Sequence, residues 1–285
     1  MISLEGFPPL KISIQQAIVS TFLLLALAPA LRAQLPLAQS APTSLDDRRK
    51  ALNSILHDYS EDLLRHDPEY ASEQGDKRYN DQISDYSVKA FNDKLAREMN
   101  FMLQLAAIDP AGFSEQEAAS RDQLLRKLTD DQEASELKPW EIPIAQTTGI
   151  QTTYPDLVAK LSFTTVKDYD DWIARLHLIP TAFDQVTENM SIGIEDHHLP
   201  SADSAARVLD QVKQLAAQNP EDSPFALPLK TIPATVKPDE KDRIKTETLD
   251  AIGKVVLPAY MRFARFLEAT YIPACQQHPA SQNHP

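Results

Sequence analysis

The chain has 285 residues, 42% of them hydrophobic, which is enough apolar material for one large core or two small ones. Its six glycines are outnumbered by 21 prolines. Because β-hairpins depend on glycine, whereas proline also marks helix starts, kinks and linkers, this composition favours helices. The formal charge of -13, from 28 basic and 41 acidic residues, repels phosphate backbones and excludes nucleic-acid binding.

The N-terminal segment is typical of an export signal. Lys11 precedes AIVSTFLLLALA, an uncharged apolar run over residues 17–28 that is too short to cross a bilayer comfortably as a permanent helix. Small residues follow, and we expect cleavage after Ala30 or Ala33. An uncleaved membrane anchor is the alternative. The sequence therefore predicts a signal peptide over residues 1–33, no stable membrane insertion after cleavage, and a periplasmic or secreted bacterial protein.

The next segment, QLPLAQSAPTS over residues 34–44, contains prolines and lacks helical periodicity, so it is predicted to be a flexible tether. A helical domain is expected over residues 45–285. Its first helix begins near Asp46, because apolar residues recur from there at spacings of three and four. The predicted inward stripe consists of Leu52, Ile55, Leu56, Tyr59 and Leu63.

Two further helices are predicted in the N-terminal part of the domain. One runs from about Ser87 to Ile108, where an Asp-Pro pair ends it. The other begins at Ser114, where Ser-Glu-Gln-Glu matches a capping box that Glu117 completes. We expect the three helices to pack as antiparallel neighbours. The stripe predicted for the first of these two helices is Phe91, Leu95, Met99, Met102, Leu103 and Ala106.

The helical pattern breaks between Glu136 and Ser162. Residues 140–154 alternate isoleucines with β-branched threonines, which is compatible with a short β-hairpin or with an irregular buried segment. The pattern does not decide between them. Pro155 then predicts a helix start, because proline suits the first helical position.

Residues 166–194 carry apolar side chains at helical spacing, and Pro180 is expected to kink or divide that helix. Another helix is predicted over residues 202–217. The proline-rich connection NPEDSPFALPLKTIP follows, and its apolar residues are expected to hold it to the core. The predicted inward residues are Val208, Leu209, Val212 and Leu215 in the helix, and Phe225, Leu227 and Leu229 in the connection.

The last predicted helix begins at Pro238, with an expected kink at Pro258 and an end at Pro273. Its apolar stripe is broad and aromatic, so we predict an exposed apolar patch where a missing partner segment would dock. Cys275 is the single cysteine, which precludes an intramolecular disulfide. It is expected to be a small buried or semi-exposed residue and not a nucleophile.

The stretch GIEDHHLP, residues 193–200, gathers four side chains that can bind metal. Zinc peptidases place two histidines one helical turn apart with a glutamate beside them, and the chain contains no His-Glu-x-x-His. His197 and His198 are adjacent, so their side chains diverge in a helix or a strand. We interpret the stretch as a loop in which Gly193 permits the turn and residues 195–198 face solvent. A metal site is the alternative.

Other catalytic patterns are also missing from the sequence. It has no Gly-x-Ser-x-Gly turn, no glycine-rich phosphate loop and no Cys-x-x-Cys pair. Paired aspartates at residues 46–47, 130–131 and 170–171 fall on predicted polar faces and are interpreted as solvated surface. The residues therefore assign no catalytic, cofactor-binding or metal-ligating position.

The order of segments resembles the bacterial family called domain of unknown function 885, from about Asp46 to Cys275. The resemblance lies in YPDLVAKLSFTTVKDYDDWIARLHLIP, SIGI, LPSADSAARVLDQVKQL, an SPF loop and VVLPAYMRFARFLEATYIPAC, taken in that order. It implies an exported helical protein related to zinc metallopeptidases. The family's zinc motif, His-Glu-x-x-Pro-Gly-His, lies downstream of the segment matching residues 271–273. No position here matches that motif, so no zinc ligand or catalytic residue is carried over.

The sequence therefore predicts an all-α fold, a multi-helix array with long kinked helices. The resemblance implies the N-terminal helical scaffold of a zinc-dependent peptidase, with no cofactor in this chain and no activity alone. Zinc and a peptide substrate would belong to the full-length form, and the partner would be a missing C-terminal catalytic half. The alternative is a stand-alone, non-catalytic exported helical protein that binds a ligand or is a remnant. Whether the chain is an enzyme is left open.

Overall fold

A computed structural model describes residues 44–278, and the predicted all-α fold is confirmed. The predicted signal peptide, and the tether up to residue 43, lie outside the described residues. Within residues 44–278 no β-strand is formed. The α-helices are α1 (Leu45–His66), α2 (Pro68–Glu73), α3 (Val88–Ala106), α4 (Glu115–Ser135), α5 (Ile150–Val158), α6 (Val166–Glu195), α7 (Ala202–Ala216), α8 (Pro238–Ala251), α9 (Leu257–Phe266) and α10 (Ile272–Gln277).

Helices α1, α3 and α4 pack around a core of their own. Ser44 caps α1 by accepting a hydrogen bond from the Asp47 backbone N–H. The predicted capping box of α4 is confirmed, since Ser114 and Glu117 each accept from the other's backbone N–H. Leucines and isoleucines from the three helices fill the centre and exclude water from it. This first core consists of Leu52, Ile55, Leu105, Ile108, Leu124 and Leu128.

The stripe predicted for α3 is partly wrong. Leu103 is 63% exposed and Met99 is 42% exposed, whereas Leu105 and Glu98 are buried. The inward face runs through residues 91, 95, 98, 102 and 105. The predicted stripe follows this face at first, but over the second half of α3 it turns away from the core. A carboxylate therefore occupies the middle of the inward face.

Residues 139–149 form neither a hairpin of strands nor a fully irregular loop. A 3₁₀ turn spans Pro139–Glu141, and one antiparallel bridge between Ile144 and Gly149 closes the turn that follows. Gly149 has a φ of 133°, a region that side chains with a Cβ rarely occupy. Helix α5 starts directly after it, at Ile150.

The predicted helix start at Pro155 is wrong, because α5 has already begun five residues earlier and Pro155 lies inside it. Proline has no N–H to donate to the carbonyl of residue 151, which would be its partner in an α-helix. The Tyr260 hydroxyl donates to that Gln151 carbonyl at 3.1 Å. A side chain from α9 thus replaces the missing backbone donor.

Pro180, Pro258 and Pro273 also lie within continuous helical segments. Helix α6 runs without a break through Pro180, so of the two expected outcomes, a kink or a division, the division is excluded. From Pro238 to Gln277 the chain remains helical, with π-helical turns at Ile252–Val256 and Leu267–Tyr271. Each π turn ends two residues before a proline, and its extra residue moves a carbonyl away from the proline ring. The predicted helix end at Pro273 is therefore wrong.

The larger core lies between α5, α6, α7 and the helical segment that begins at Pro238. Trp172 of α6 donates its indole N–H to the Phe225 carbonyl at 3.1 Å, which fixes the proline-rich connection, while Leu227 points outward. The predicted exposed patch along the last helix is wrong, because α6 and α7 cover its stripe and only Met261 among its large apolar residues is exposed. The buried stripe comprises Ile252, Val256, Tyr260, Phe263, Leu267 and Tyr271.

Candidate functional site

A cleft of about 520 Å³ separates the three-helix core from α6. One wall comes from the C-terminal turns of α1 and the N-terminal half of α3. The other wall comes from the 139–143 segment and from Val186 and Asn189 of α6. Residues 84–87 join the walls. This size is typical of pockets that hold small ligands.

Glu98 lies in the lining of this cleft and is only 3% exposed. Its Oε1 is 3.5 Å from the Lys94 ammonium, its Oε2 is buried, and its carboxyl group lies beside the carboxyl group of Asp131. Burial raises the pKa of Glu98 above its ordinary value, and the charge of Lys94 opposes that rise. Ionising a buried carboxyl group beside a second carboxyl group is costly, so Glu98 is the chemically unusual group of the cleft.

The sequence reasoning missed Glu98, although a signal was present. Phe91, Leu95, Glu98, Met102 and Leu105 recur at alternating spacings of four and three, and the glutamate stands at a position where an apolar residue belongs. A carboxylate within an inward stripe is uncommon, because ionised groups are rarely buried without a partner. The position of Glu98 within an apolar stripe would have identified it as a candidate site residue.

The α1 side of the cleft mouth is acidic. Asp62 accepts from Arg97 Nε at 3.0 Å and lies 3.2 Å from His66 Nδ1. Asp67 caps α2 by accepting the Tyr70 backbone N–H at 2.9 Å. Burial raises the pKa of Asp67, although the Tyr70 N–H favours its ionised form. Both carboxylates face the same opening.

An aromatic pair covers the opposite side of the mouth. The rings of Phe91 from α3 and Trp140 from the 139–141 turn have centroids 4.3 Å apart and planes inclined at 48°. They bridge the two halves of the fold at the cleft. The faces of such rings attract cations, and their bodies contact apolar groups.

The floor of the cleft is held by α6. Asn189 donates to the Tyr86 carbonyl at 2.7 Å, and Gln185 accepts from the Tyr86 backbone N–H at 2.9 Å. Burial raises the pKa of the Tyr86 phenol well above its ordinary value, so the group stays neutral. The loop at residues 84–87 is therefore fixed in position by hydrogen bonds between its backbone and side chains of α6.

A fully buried arginine of α6 fixes the preceding segment. Arg175 Nε donates to the Gln82 carbonyl at 2.7 Å, and Nη2 donates to the Tyr79 carbonyl at 2.8 Å and to Ser72 Oγ at 3.0 Å. No carboxylate among the described residues forms an ion pair with it. Backbone acceptors stabilise this cation, and the segment from α2 to the cleft is tied to α6.

The GIEDHHLP stretch ends α6, but two details of its interpretation are wrong. His197, with a φ of 57°, takes the left-handed position, while Gly193 stays helical, where an added Cβ would lie 2.7 Å from the Glu141 carbonyl oxygen. Glu195, Asp196 and His197 are exposed as expected. His198 is half-buried, and its Nδ1 lies 2.9 Å from Glu141.

The acidic and imidazole groups of this stretch hold the cleft wall. Lys138 pairs with Asp196 and, at 3.0 Å, with the buried Glu141. With His198 on its other oxygen, Glu141 ties the 138–141 turn to the end of α6. Trp140, between these anchors, is thereby kept at the cleft mouth.

The described residues do not fit a zinc ion. Zinc needs three or four converging His, Cys, Asp or Glu ligands, and within residues 44–278 no three of these side chains are grouped to share one. At Glu141 and Asp196 the local cation is the Lys138 ammonium. Cys275 is buried, as one of the predicted alternatives has it, and burial raises the pKa of its thiol, which disfavours the reactive thiolate.

The fold and cleft define an all-helical protein in which an acidic, aromatic cleft lies between the three-helix core and α6. The chain belongs to the family described as "Bacterial protein of unknown function (DUF885)", whose family model matches residues 68–283. This confirms the family named from the sequence. No curated protein matches the chain. Within residues 44–278, no helix combines the length and apolar character needed to span a membrane.

A solved structure shares this fold. It is described as "the putative lipoprotein from Colwellia psychrerythraea", and it is 16% identical to this chain with a TM-score of 0.69. The similarity covers 78% of this chain and 41% of that one. This chain therefore spans less than half the length of the related structure, and at this identity the likeness concerns the fold alone.

Proposed function

We propose that this chain forms the N-terminal helical part of an exported zinc-dependent peptidase of the DUF885 family. The family match over residues 68–283 carries the proposal, because the resemblance implies peptidase relatives. The coverage of 41% of the related structure supports a role as one part of a larger assembly. The description of that structure as a lipoprotein supports export, to the periplasm or the exterior.

In this proposal, the helices provide scaffold and the cleft provides part of the wall that binds a peptide. A cleft of about 520 Å³ with aromatic and apolar sides accommodates a side chain or a chain end of a peptide. Zinc and its ligands belong to a separate segment or chain. No catalytic step is assigned to the residues described.

The proposal is tested first by translating the gene region beyond the Pro285 codon in every reading frame. We expect a His-Glu-x-x-Pro-Gly-His motif there or in a neighbouring gene. The purified chain alone should not hydrolyse peptides when zinc is added, whereas co-expression with the motif-bearing segment should give hydrolysis that a chelator abolishes. Chelator-sensitive cleavage by the chain alone, or no activity in the combined sample, would contradict the proposal.

A stand-alone, non-catalytic exported binding protein is the second candidate. The observation that favours it is the last helix, whose apolar stripe is covered by α6 and α7 with only Met261 exposed among its large apolar residues. A surface of this kind does not require a further partner to exclude water. If the downstream motif is absent and the chain is a stable monomer in sedimentation, this second function is favoured.

A further inference from the structure

Two carboxyl groups meet at the seam between α3 and α4. Glu98 of α3 is buried, and Asp131 of α4 is half-buried at the edge of the seam. One ammonium group lies near both, because Lys94 Nζ is 3.5 Å from Glu98 Oε1 and 4.0 Å from Asp131 Oδ2. The two carboxyl groups are also in hydrogen-bond contact with each other. Two negative charges this close strongly disfavour each other.

The hydrogen bonding of Glu98 requires a proton on the pair. Within residues 44–278, no N–H group or hydroxyl reaches the buried Oε2 of Glu98. Two ionised carboxylates can only accept hydrogen bonds, whereas a protonated carboxyl group also donates one. A proton held between Glu98 and Asp131 therefore turns a repulsive contact into a hydrogen bond, and it does so without any further group.

The positive charges around the pair lie at its solvent side. Lys127 Nζ donates to Asp131 Oδ2 at 2.5 Å, whereas Lys94 stays 3.5 Å from Glu98, which is too long for a strong charge-assisted bond. Both ammonium groups are about half exposed, so water screens them. Asp131 therefore carries the negative charge of the pair, and the proton lies on the side of Glu98.

The other elements packed against the pair add no free cation. From α1, the Tyr59 phenol lies beside Lys127, and burial raises the pKa of this phenol, so it stays neutral. Asp62 of α1 and Arg97 of α3 pair with each other at 3.0 Å. The 139–143 segment presents Trp140 and two prolines to the cleft, and its carboxylate is engaged at the end of α6.

We propose that Glu98 and Asp131 hold one proton between them in the folded protein, and that this acid–carboxylate pair makes the α3–α4 seam a pH-dependent clamp. With the proton in place the two groups attract each other. When it leaves, adjacent negative charges repel and the seam weakens. The pH at which this happens is a property of the pair and not of either residue alone. The clamp requires neither zinc nor a peptide, so its test is independent of the proposed function.

The test measures the unfolding equilibrium constant of the intact chain by urea titration between about pH 4 and pH 9. Where the folded protein keeps the proton and the unfolded chain has lost it, unfolding releases a proton. A rise in pH then favours unfolding, by up to about tenfold per pH unit. Other groups titrate too, so the wild-type constant is divided by that of Glu98→Gln, whose amide donates as the protonated acid does. This ratio should rise with pH and then level off.

Two further variants locate the effect. Asp131→Asn replaces the like-charged neighbour of Glu98 by an amide that can donate to it, so the rise relative to Glu98→Gln should be smaller than in the wild type. Asp130→Asn removes an exposed carboxylate one position away on α4, and this matched control should keep the wild-type pH profile. Infrared difference spectra of wild type against Glu98→Gln should show a carboxylic-acid C=O band that disappears over the same pH range.

Three outcomes would overturn the proposal. They are a ratio that does not change with pH, a ratio that falls as the pH rises, or the absence of a carboxylic-acid band specific to the wild type. A falling ratio would mean that the two lysines stabilise the ionised pair. Circular dichroism checks that each variant is folded. If Glu98→Gln does not fold, the wild type is compared with Asp131→Asn, and identical pH profiles of these two proteins contradict the clamp.

Discussion

Replacing Arg175 by methionine is expected to loosen the segment that leads to the cleft. The guanidinium donates to the Gln82 and Tyr79 carbonyls and to Ser72 Oγ, at 2.7, 2.8 and 3.0 Å. Methionine keeps most of the buried volume but donates nothing, so three acceptors lose their partner. The loss of each costs about 1 to 3 kcal/mol. The variant also no longer carries the desolvation cost of a buried cation, which offsets part of this loss. We therefore expect the free energy of unfolding to fall by about 3 kcal/mol.

The measurement is the free energy of unfolding from urea titration, combined with amide hydrogen exchange. Faster exchange is expected at residues 68–86, while the three-helix core around Leu52 and Leu128 should keep its protection. Arg175→Lys is the matched control, because a lysine retains the charge but cannot reach all three acceptors. Its free energy of unfolding should lie between those of the wild type and Arg175→Met. A loss below about 1 kcal/mol in Arg175→Met, with unchanged exchange, would refute this account.

Three further changes have defined outcomes. Burial alone would raise the pKa of Asp168, but Lys77 and the N–H groups of Thr164 and Thr165 hold it well below its usual range. Asp168→Asn should therefore lower the free energy of unfolding by about 2 kcal/mol at pH 7, and this difference should shrink as the pH falls below about 4. Tyr260→Phe should lower it by about 1 kcal/mol, because the Gln151 carbonyl loses its donor. At pH values above the folded-state pKa of Glu98, Glu98→Gln should leave the free energy of unfolding unchanged or raise it. The reason is that ionising a carboxyl group with a raised pKa costs free energy in the folded state. Urea titrations at several pH values measure all three.

Each of these predictions has a contradicting result. Asp184→Asn, at an exposed position of α6, is the control for Asp168 and should change stability by less than about 0.5 kcal/mol. A pH-independent loss in Asp168→Asn would exclude the charge as its cause. Full stability in Tyr260→Phe would mean that the Gln151 carbonyl finds another donor. A large loss in Glu98→Gln at neutral pH would show that the Lys94 interaction outweighs burial.

The helices themselves were predictable where their signals are local. Ser44, Ser87, Ser114 and Ser201 each cap a helix, and hydroxyls at such positions satisfy free N–H groups whatever the tertiary context. The family was indicated by the resemblance of particular sequence segments, taken in order, and not by their apolar pattern. The all-α class follows from the same repeated spacing, because period and capping are properties of neighbouring residues.

Proline was misread because its effect depends on distant partners. By itself Pro155 favours a helix start, but in the fold the Tyr260 hydroxyl, 105 positions further along the chain, satisfies the carbonyl that proline leaves free. Pro258 and Pro273 are accommodated by π turns on a helix that packs along its length against α6 and α7. Packing energy summed over a long helix exceeds the local cost of one lost hydrogen bond.

The sequence alone determined the helical class, the caps and the family, because these depend on residue spacing and segment order. Only the tertiary structure decided the cleft. Glu98, Trp140 and Asp67 come from different helices and turns, and their separation in the chain gives no sign that they share one opening. The burial of Glu98 exists only after α3 packs against α1, α4 and the 139–143 segment. Such a site depends on which faces meet, which local periodicity does not specify.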